Sequence, residues 1–253
     1  MVSLSPYTFF AGLMLWILKK KPYLYLRSNG FEEYKVLLGP IGYFIYLFMF
    51  SILSKTSILI SCREQILNGK RGYTVNPSQL DEEWMSNISS PQLSETNLLY
   101  VGRIRKEKGI YSLIKILEGN KDIRLTIVGL ENEVEKKINN KNIKIMKIIN
   151  NKNKLIEMYD YHNIFILPSF TEGHPMVLLE ALARQRPVII FEEIQHVMGN
   201  HKGIFLAKRN ISSLVEKINY IKNNYVAIQE EMKNNKLPNN IEFISNLRNI
   251  ISK

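Results

Sequence analysis

Strand-length apolar runs alternate with helix-length stretches from Asn97 to Ile221, and that alternation restricts the segment to a mainly parallel sheet with helical crossovers. The runs NLLYV (97–101), RLTIVG (124–129), NIKIMKI (142–148), IFILPS (164–169), PVIIF (187–191) and GIFLA (203–207) are predicted as strands. Between them, IYSLIKIL (110–117), LIEMYDYH (155–162), HPMVLLEALARQ (174–185) and ISSLVEKINYI (211–221) are predicted as helices. Several strand runs are apolar at every position, as parallel strands covered on both faces require. The segment is therefore expected to form a complete doubly wound α/β domain, with ligands bound outside the carboxyl ends of the strands.

The first part of the chain is sparser. It offers a helix at 8–18, a strand PYLYLRSN at 22–29, a helix at about 38–53 and a strand SILISC at 57–62, too few strands for a full domain of this kind. Its apolar runs, TFFAGLMLWIL (8–18) and IGYFIYLFMFSIL (41–53), are shorter than the roughly 18 residues a membrane span needs. Neither has the flanks of a signal peptide. Both are predicted as helices buried in a domain; the alternative is a membrane-touching face, which interleaved aromatic and basic residues would suit. The polar stretch TVNPSQLDEEWMSNISSPQLSET (74–96) is predicted as a linker. The expected division is a partial domain at 1–90, a complete one at 91–225 and a charged helical tail at 226–253.

The net charge of +11 over 253 residues points toward an anionic partner, although a chain this rich in Lys, Asn and Ile, as in NNKNIKIMKIINNKNK (139–154), acquires such a charge from an AT-rich gene as well. Composition accounts for that tract, so no nucleic-acid partner is expected. A single cysteine, Cys62, excludes an internal disulfide or thiolate metal cluster and suits a reducing compartment. The four histidines show no metal-ligand spacing.

The segment FTEGHPMVLLEALARQRPVII (170–190) carries the strongest chemical signal. A strand ends, a short loop follows, and a helix starts near Pro175, whose missing N–H costs nothing in a first turn. The amides of Met176, Val177 and Leu178 then head the helix and point back toward the strand ends, a ready site for phosphate. Gly173 lets a ligand approach the backbone. Glu180 sits among Val177, Leu178, Leu179, Ala181, Leu182 and Ala183, so its carboxylate must be partly buried and needs a partner. That partner is either an internal cation or the hydroxyls of a bound sugar. In LLYVGRIRKEKGI (98–110), Arg103 and Lys108 follow Gly102 at the end of the first strand, where two cations can clamp a diphosphate. The spacing lacks G-x-G-x-x-G, which removes a nicotinamide site.

Together these segments resemble the retaining glycosyltransferases of family 4. Their C-terminal domain opens with a strand, Gly-Arg and then Lys-Gly, here Gly102, Arg103, Lys108 and Gly109. They also carry Glu, seven residues and Glu after a Pro-Ser strand end, here Pro168, Ser169, Glu172, Gly173, Pro175 and Glu180. The turn Arg186-Pro187-Val188 matches too, and the resemblance covers about 97–225.

The resemblance implies a GT-B-like α/β fold of two Rossmann-like domains, the C-terminal one complete and the N-terminal one partial, with the tail returning to the first domain. It implies a hexosyltransferase in which Arg103 and Lys108 neutralise the donor diphosphate, helped by the amides of Met176 and Val177. Glu172, as the catalytic residue, and the loop Gly173, His174 and Pro175 would hold the transferred sugar, while Glu180 would bind the ribose. No metal and no cofactor is implied beyond the nucleotide-sugar donor. The implied acceptor is a glycan or a lipid-linked glycan, with Arg27, Ser28 and Asn29 on the acceptor side. The implied setting is surface polysaccharide synthesis in the cytoplasm, in peripheral contact with the anionic inner face of the plasma membrane. Two departures stand out. Glu192, Glu193, Gln195 and His196 replace the usual glycine pair in the donor loop, and the first domain is about half the family's size, with no Gly-rich first loop. The alternative function is a remnant that binds nucleotide without transferring sugar.

Overall fold

The computed structural model describes residues 1–130 and 140–252; Asn139, the first residue of the Lys/Asn tract, and Lys253, the last of the tail, lie outside them. The chain forms two compact units. The first comprises Met1–Gln79, Thr171–His174 and Pro238–Lys253, and the second Leu80–Phe170 and Pro175–Leu237.

The first unit is built on a three-stranded parallel sheet in the order β1 (Tyr23–Leu26), β2 (Ile58–Ser61), β3 (Gly72–Thr74). Helix α1 (Pro6–Ile17) starts at a capping box between Ser5 and Thr8, with Pro6 at its first position. Helix α2 (Gly30–Thr56) is longer than the sequence suggests. The Gly39-Pro40 pair interrupts the helix without ending it: Gly39 leaves helical geometry, and helical structure continues on both sides. Phe31 in the first piece packs its ring on Tyr43, Tyr46 and Phe50 in the second, which folds the pieces together. Successive strand residues face opposite sides of the sheet. Leu24, Leu26 and Leu59 accordingly pack with Tyr46, Phe50 and Leu53 of α2. Tyr23, Tyr25 and Ile60 pack instead with Phe243, Leu247 and Ile250 of the C-terminal helix, labelled α9 below.

The two apolar helices are not buried as expected. Phe10, Met14 and Ile17 of α1 are each about two-thirds exposed, as are Ile41 and Phe44 of α2. Among the described residues, α2 is the one helix long and apolar enough to cross a membrane, yet Tyr46, Phe50 and Leu53 on its other side are buried in the core of the unit. Hydropathy alone fixes neither which side of a helix is covered nor how far the helix extends.

The second unit holds a six-stranded parallel sheet in the order β6 (Ile143–Lys147), β5 (Ile123–Leu130), β4 (Thr96–Val101), β7 (Ile164–Leu167), β8 (Val188–Phe191), β9 (Ile204–Ala207). The chain adds β5 and β6 on one side of β4, then crosses to add β7, β8 and β9 on the other. Every residue of β7 and β8 is buried, so both faces of the sheet are covered. Among the described residues its helices are α3 (Glu82–Met85), α4 (Ile110–Ile116), α5 (Lys152–Tyr161), α6 (Met176–Ala183), α7 (Ile211–Asn223) and α8 (Tyr225–Met232); α9 (Asn240–Ile251) lies in the first unit.

The stretch expected as a linker is largely built into this second unit. Leu80 and Trp84 are buried in its core. Asp81 caps α3 through the Trp84 amide and pairs with Lys152 at 2.8 Å. Two fully buried arginines hold the following backbone. Arg184 donates to the carbonyls of Trp84, Ser86 and Asn87 at 3.1, 2.6 and 2.9 Å, and Arg186 donates to that of Ser89 at 2.6 Å. Asp160 neutralises both, at 2.7 Å from Arg184 and 3.3 Å from Arg186. Polar residues signalled solvent, but here the backbone's hydrogen bonds go to guanidinium groups. The tail divides as well: Ile228 and Met232 of α8 join the second core, while Ile250 of α9 joins the first.

Candidate functional site

In the second unit, β4 and β7 pair in parallel, Leu98 opposite Ile164 and Leu99 opposite Phe165. The loops leaving their carboxyl ends therefore emerge side by side, at the point where the strand order reverses. In open α/β sheets this is where a ligand crevice forms. After β4, Gly102 donates its amide to Val128 at 2.9 Å, the Arg103 side chain stands exposed, and a 3-10 turn at Lys106–Lys108 ends in Gly109. Gly109 has φ +67°, and a Cβ there would lie 1.8 Å from the carbonyl oxygen of Pro168. The Phe170 amide donates to the Glu107 carbonyl at 2.9 Å. The Arg103/Lys108 loop and the Pro-Ser end of β7 are thus pressed together, and only glycine fits the closest point.

Arg209, after β9, fixes the same edge, and the sequence reading missed it. Its guanidinium lies 4.1 Å over the ring of Phe170 and 4.4 Å over that of Phe191. It donates to the carbonyls of Pro168 and Ser169 at 3.0 and 3.3 Å and pairs with Glu193 at 2.7 Å. Burial alone would raise the Glu193 carboxyl, but its bonds to Arg209 and a backbone amide outweigh that and hold it below its ordinary value. A lone arginine in KRN, with no periodicity around it, gave no signal of this role. A surface hollow of about 630 Å³ beside it is lined by Glu192, Glu193, Gln195 and His196, the residues expected in the donor loop, together with Met198 and Gly199.

Helix α6 begins one residue later than expected, with Pro175 as its N-cap. The Leu178 amide is taken by the Pro175 carbonyl at 3.2 Å, which leaves Met176 and Val177 as the helix-head amides with no acceptor inside the helix. Glu180 lies one turn further on and is 7% exposed. Helical Cβ atoms lean toward the amino end, so its side chain tilts toward the helix head. Among the described residues its partner is the Tyr159 hydroxyl, which donates to it at 2.8 Å, rather than a cation. Burial raises the Glu180 carboxyl above its ordinary value, with the Tyr159 bond pulling the other way. Tyr159, fully buried, is fixed by stacking on Phe165 and an edge contact with Trp84. Its place on the apolar side of LIEMYDYH was legible, but its hydroxyl's partner was not.

The segment Thr171–His174 belongs to the first unit, and there it meets residues expected on the acceptor side. A Cβ on Gly173 would lie 2.5 Å from the Arg27 carbonyl oxygen and 2.6 Å from the Ser28 Cα. Asn29 is the N-cap of α2 without a side-chain capping bond. Glu172 is buried, and its carbonyl accepts from Arg63 at 3.5 Å. Thr171 bonds Glu32 at 3.4 Å, and the His174 Nε2 bonds the Pro77 carbonyl at 2.9 Å, which makes Nε2 the protonated nitrogen. Arg63, at the carboxyl end of β2, was not anticipated; burial pulls its guanidinium below its ordinary value. Among the described residues no group of three or more His, Cys, Asp or Glu side chains is placed to hold a metal.

Residues 81–240 match the family model described as "Glycosyl transferases group 1". The capsular polysaccharide biosynthesis glycosyltransferase CapM of Staphylococcus aureus is 29% identical over 156 residues, covering 55% of this chain and 40% of that protein. TuaC of Bacillus subtilis, a glycosyltransferase assigned to teichuronic acid biosynthesis, is 28% identical over 142 residues, with coverage of 54% and 35%. The chain thus spans about two-fifths of the length of the curated relatives it matches. Among solved structures, sucrose-phosphate synthase of Thermosynechococcus elongatus superposes with a TM-score of 0.72 at 17% identity, covering 96% of this chain and 72% of that one. HepE of Anabaena, solved with UDP and glucose, gives 0.72 at 11% identity, covering 100% and 77%. These likenesses bear out the α/β, GT-B-like architecture.

Proposed function

Because the chain belongs to the group 1 glycosyl transferases, whose family model spans more than half of it, we propose that it moves a sugar from a nucleotide-diphosphate donor to a glycan or lipid-linked acceptor, with retention, as in family 4. The observation that carries this reading is the close junction of the two loops after β4 and β7, Gly109 against Pro168 and Phe170 against Glu107, at the reversal of strand order. That junction supports a diphosphate held between Arg103, Lys108 and the amides of Met176 and Val177. As the bond from the anomeric carbon to the phosphate oxygen breaks, negative charge grows on the leaving diphosphate, where these groups stabilise it. The buried carboxylate of Glu180 accepts from the ribose hydroxyls. Glu172, with Gly173, His174 and Pro175, holds the transferred sugar, and Arg27, Ser28 and Asn29 serve the acceptor side. The site needs no metal, because two cations and a helix head already supply positive potential. We assign the work to surface polysaccharide synthesis, a reading that the biosynthetic roles named for CapM and TuaC support, and we propose the cytoplasm, at the inner face of the membrane, as its setting.

The test is transfer itself. The chain is incubated with UDP- and GDP-sugars and lipid-linked acceptors, nucleotide release is followed, and the anomeric configuration of the product is read by NMR. Retention is expected, and Glu172→Ala should abolish transfer without altering the melting curve. Inversion would remove the family 4 assignment, and an active Glu172→Ala protein would remove the catalytic role.

The three-stranded sheet of the first unit favours a second reading, nucleotide binding without transfer. Nucleotide binding without any turnover would select it.

A further inference from the structure

Two helices of the first unit present apolar stripes that none of the described residues covers. On α1, Tyr7, Phe10, Met14 and Ile17 are spaced three and four apart, so they share one face; they are 88%, 65%, 64% and 66% exposed. On α2, Ile41, Phe44 and Phe48 repeat that spacing at 69%, 65% and 60% exposure. The stripes adjoin, since the ring of Phe9 lies 5.6 Å from Phe10 and 5.9 Å from Phe48. The opposite faces are committed to the core through Gly12, Tyr46, Phe50 and Leu53. An ordinary surface helix carries charge on its outer face; α1 has no charged residue, nor has the segment 41–54 of α2.

The charges gather at one end instead. Phe9 lies beside Phe48, and the Cβ position of Gly12 lies 2.7 Å from Leu53, so α1 and α2 run in the same direction. Lys19, Lys20 and Lys21, directly after α1, and Lys55, in the last turn of α2, therefore fall at the same end, all exposed. The first acidic residue of the chain is Glu32. Protein interfaces are depleted in lysine at their centres and mix charges at their rims. An apolar face closed by a purely cationic end fits the interface of a bilayer bearing anionic phosphates, where helices lie in the plane with their apolar sides among the upper acyl chains.

We infer that α1 and α2 form a monotopic docking surface for an anionic lipid bilayer. The apolar stripes enter the headgroup boundary, Lys19–Lys21 and Lys55 bind lipid phosphates, and Trp16, 57% exposed, sits at the water boundary. The inference extends the proposed membrane setting but does not depend on the donor site, so the two are measured separately.

The experiment sediments the whole chain with vesicles of phosphatidylcholine, with and without phosphatidylglycerol, while UDP binding is measured on the same preparations. Preferential, salt-sensitive binding to the phosphatidylglycerol vesicles is expected. Replacing Lys19, Lys20 and Lys21 by Gln should weaken it on the order of a hundredfold. Phe10→Glu combined with Phe44→Glu should abolish it and leave both the melting curve and UDP binding intact. Absence of binding to phosphatidylglycerol vesicles overturns the inference. So does a wild-type chain that self-associates without lipid and becomes monomeric on Phe10→Glu/Phe44→Glu, because the face would then join copies of the chain.

Discussion

Replacing Gly109 by Ala tests the junction at the carboxyl edge with a single methyl group. Two costs add. The residue has φ +67°, where an L side chain costs about 1–2 kcal/mol. The new methyl would begin 1.8 Å from the Pro168 oxygen, so the loops must part by roughly 1.5 Å to reach ordinary contact, and such overpacking costs about 1–3 kcal/mol. The sum, about 2–5 kcal/mol, is a large part of the roughly 5–15 kcal/mol that holds a domain together. Gly119→Ala is the control: its φ is +82° but nothing lies within 4 Å of the added methyl, so it carries only the first cost. Urea melts read by the fluorescence of buried Trp84 report on this unit. The difference between the two variants isolates the contact, about 1–3 kcal/mol. Parting the loops also separates the Arg103/Lys108 turn from the end of β7, and a displacement near 1 Å in a binding site weakens it about tenfold or more. If Gly109→Ala melts with Gly119→Ala and binds UDP like the wild type, the loops do not depend on each other and the reasoning fails.

Three further outcomes follow from individual groups. Asp160→Ala leaves the buried guanidinium groups of Arg184 and Arg186 without their carboxylate and should cost about 3–5 kcal/mol in a urea melt; a loss below about 1 kcal/mol would show that the carbonyl acceptors suffice. Burial raises the folded pKa of Glu180 above its ordinary 4.5, so the penalty for burying its charge is absent below about 4.5 and complete above the folded value. Its contribution to stability therefore falls as pH rises through that window; Tyr159→Phe should widen the window and Glu180→Gln should flatten it, and identical pH slopes in wild type and Glu180→Gln would contradict this. Arg209→Met keeps bulk against Phe170 and Phe191 but drops the bonds to Pro168, Ser169 and Glu193, so UDP affinity should fall about tenfold with little change in melting, and an unchanged affinity would reduce Arg209 to packing.

The second unit was largely legible because its strands announce themselves. IFIL and VIIF are apolar at every position, and only a sheet covered on both faces tolerates that exposed to no water. The loops at the ends of β4 and β7 could be located in the sequence from Gly102, Arg103, Lys108 and Pro175, which follow those strands within a few residues. What escaped depends on distant residues. Trp84 and Leu80 lie in a polar stretch whose backbone is satisfied by Arg184 and Arg186, a hundred residues on in the chain. Tyr159 reaches Glu180 only once α5 and α6 pack. Apolar runs such as FFAGLMLWI look alike whether a core or nothing covers them, so the open faces of α1 and α2 had to be seen. The membership of Thr171–His174 in the first unit rests on Arg27, Ser28, Arg63 and Pro77, which no local pattern connects to it.

Calorimetric titration of the chain with UDP and with GDP bears most directly on the claim that the carboxyl edge of β4 and β7 cradles a diphosphate. Saturable one-to-one binding of at least one of them is predicted, weakened about tenfold or more when Arg103 and Lys108 are both replaced by Ala. Heat from neither nucleotide, or the same affinity in the doubly substituted chain, would contradict the account.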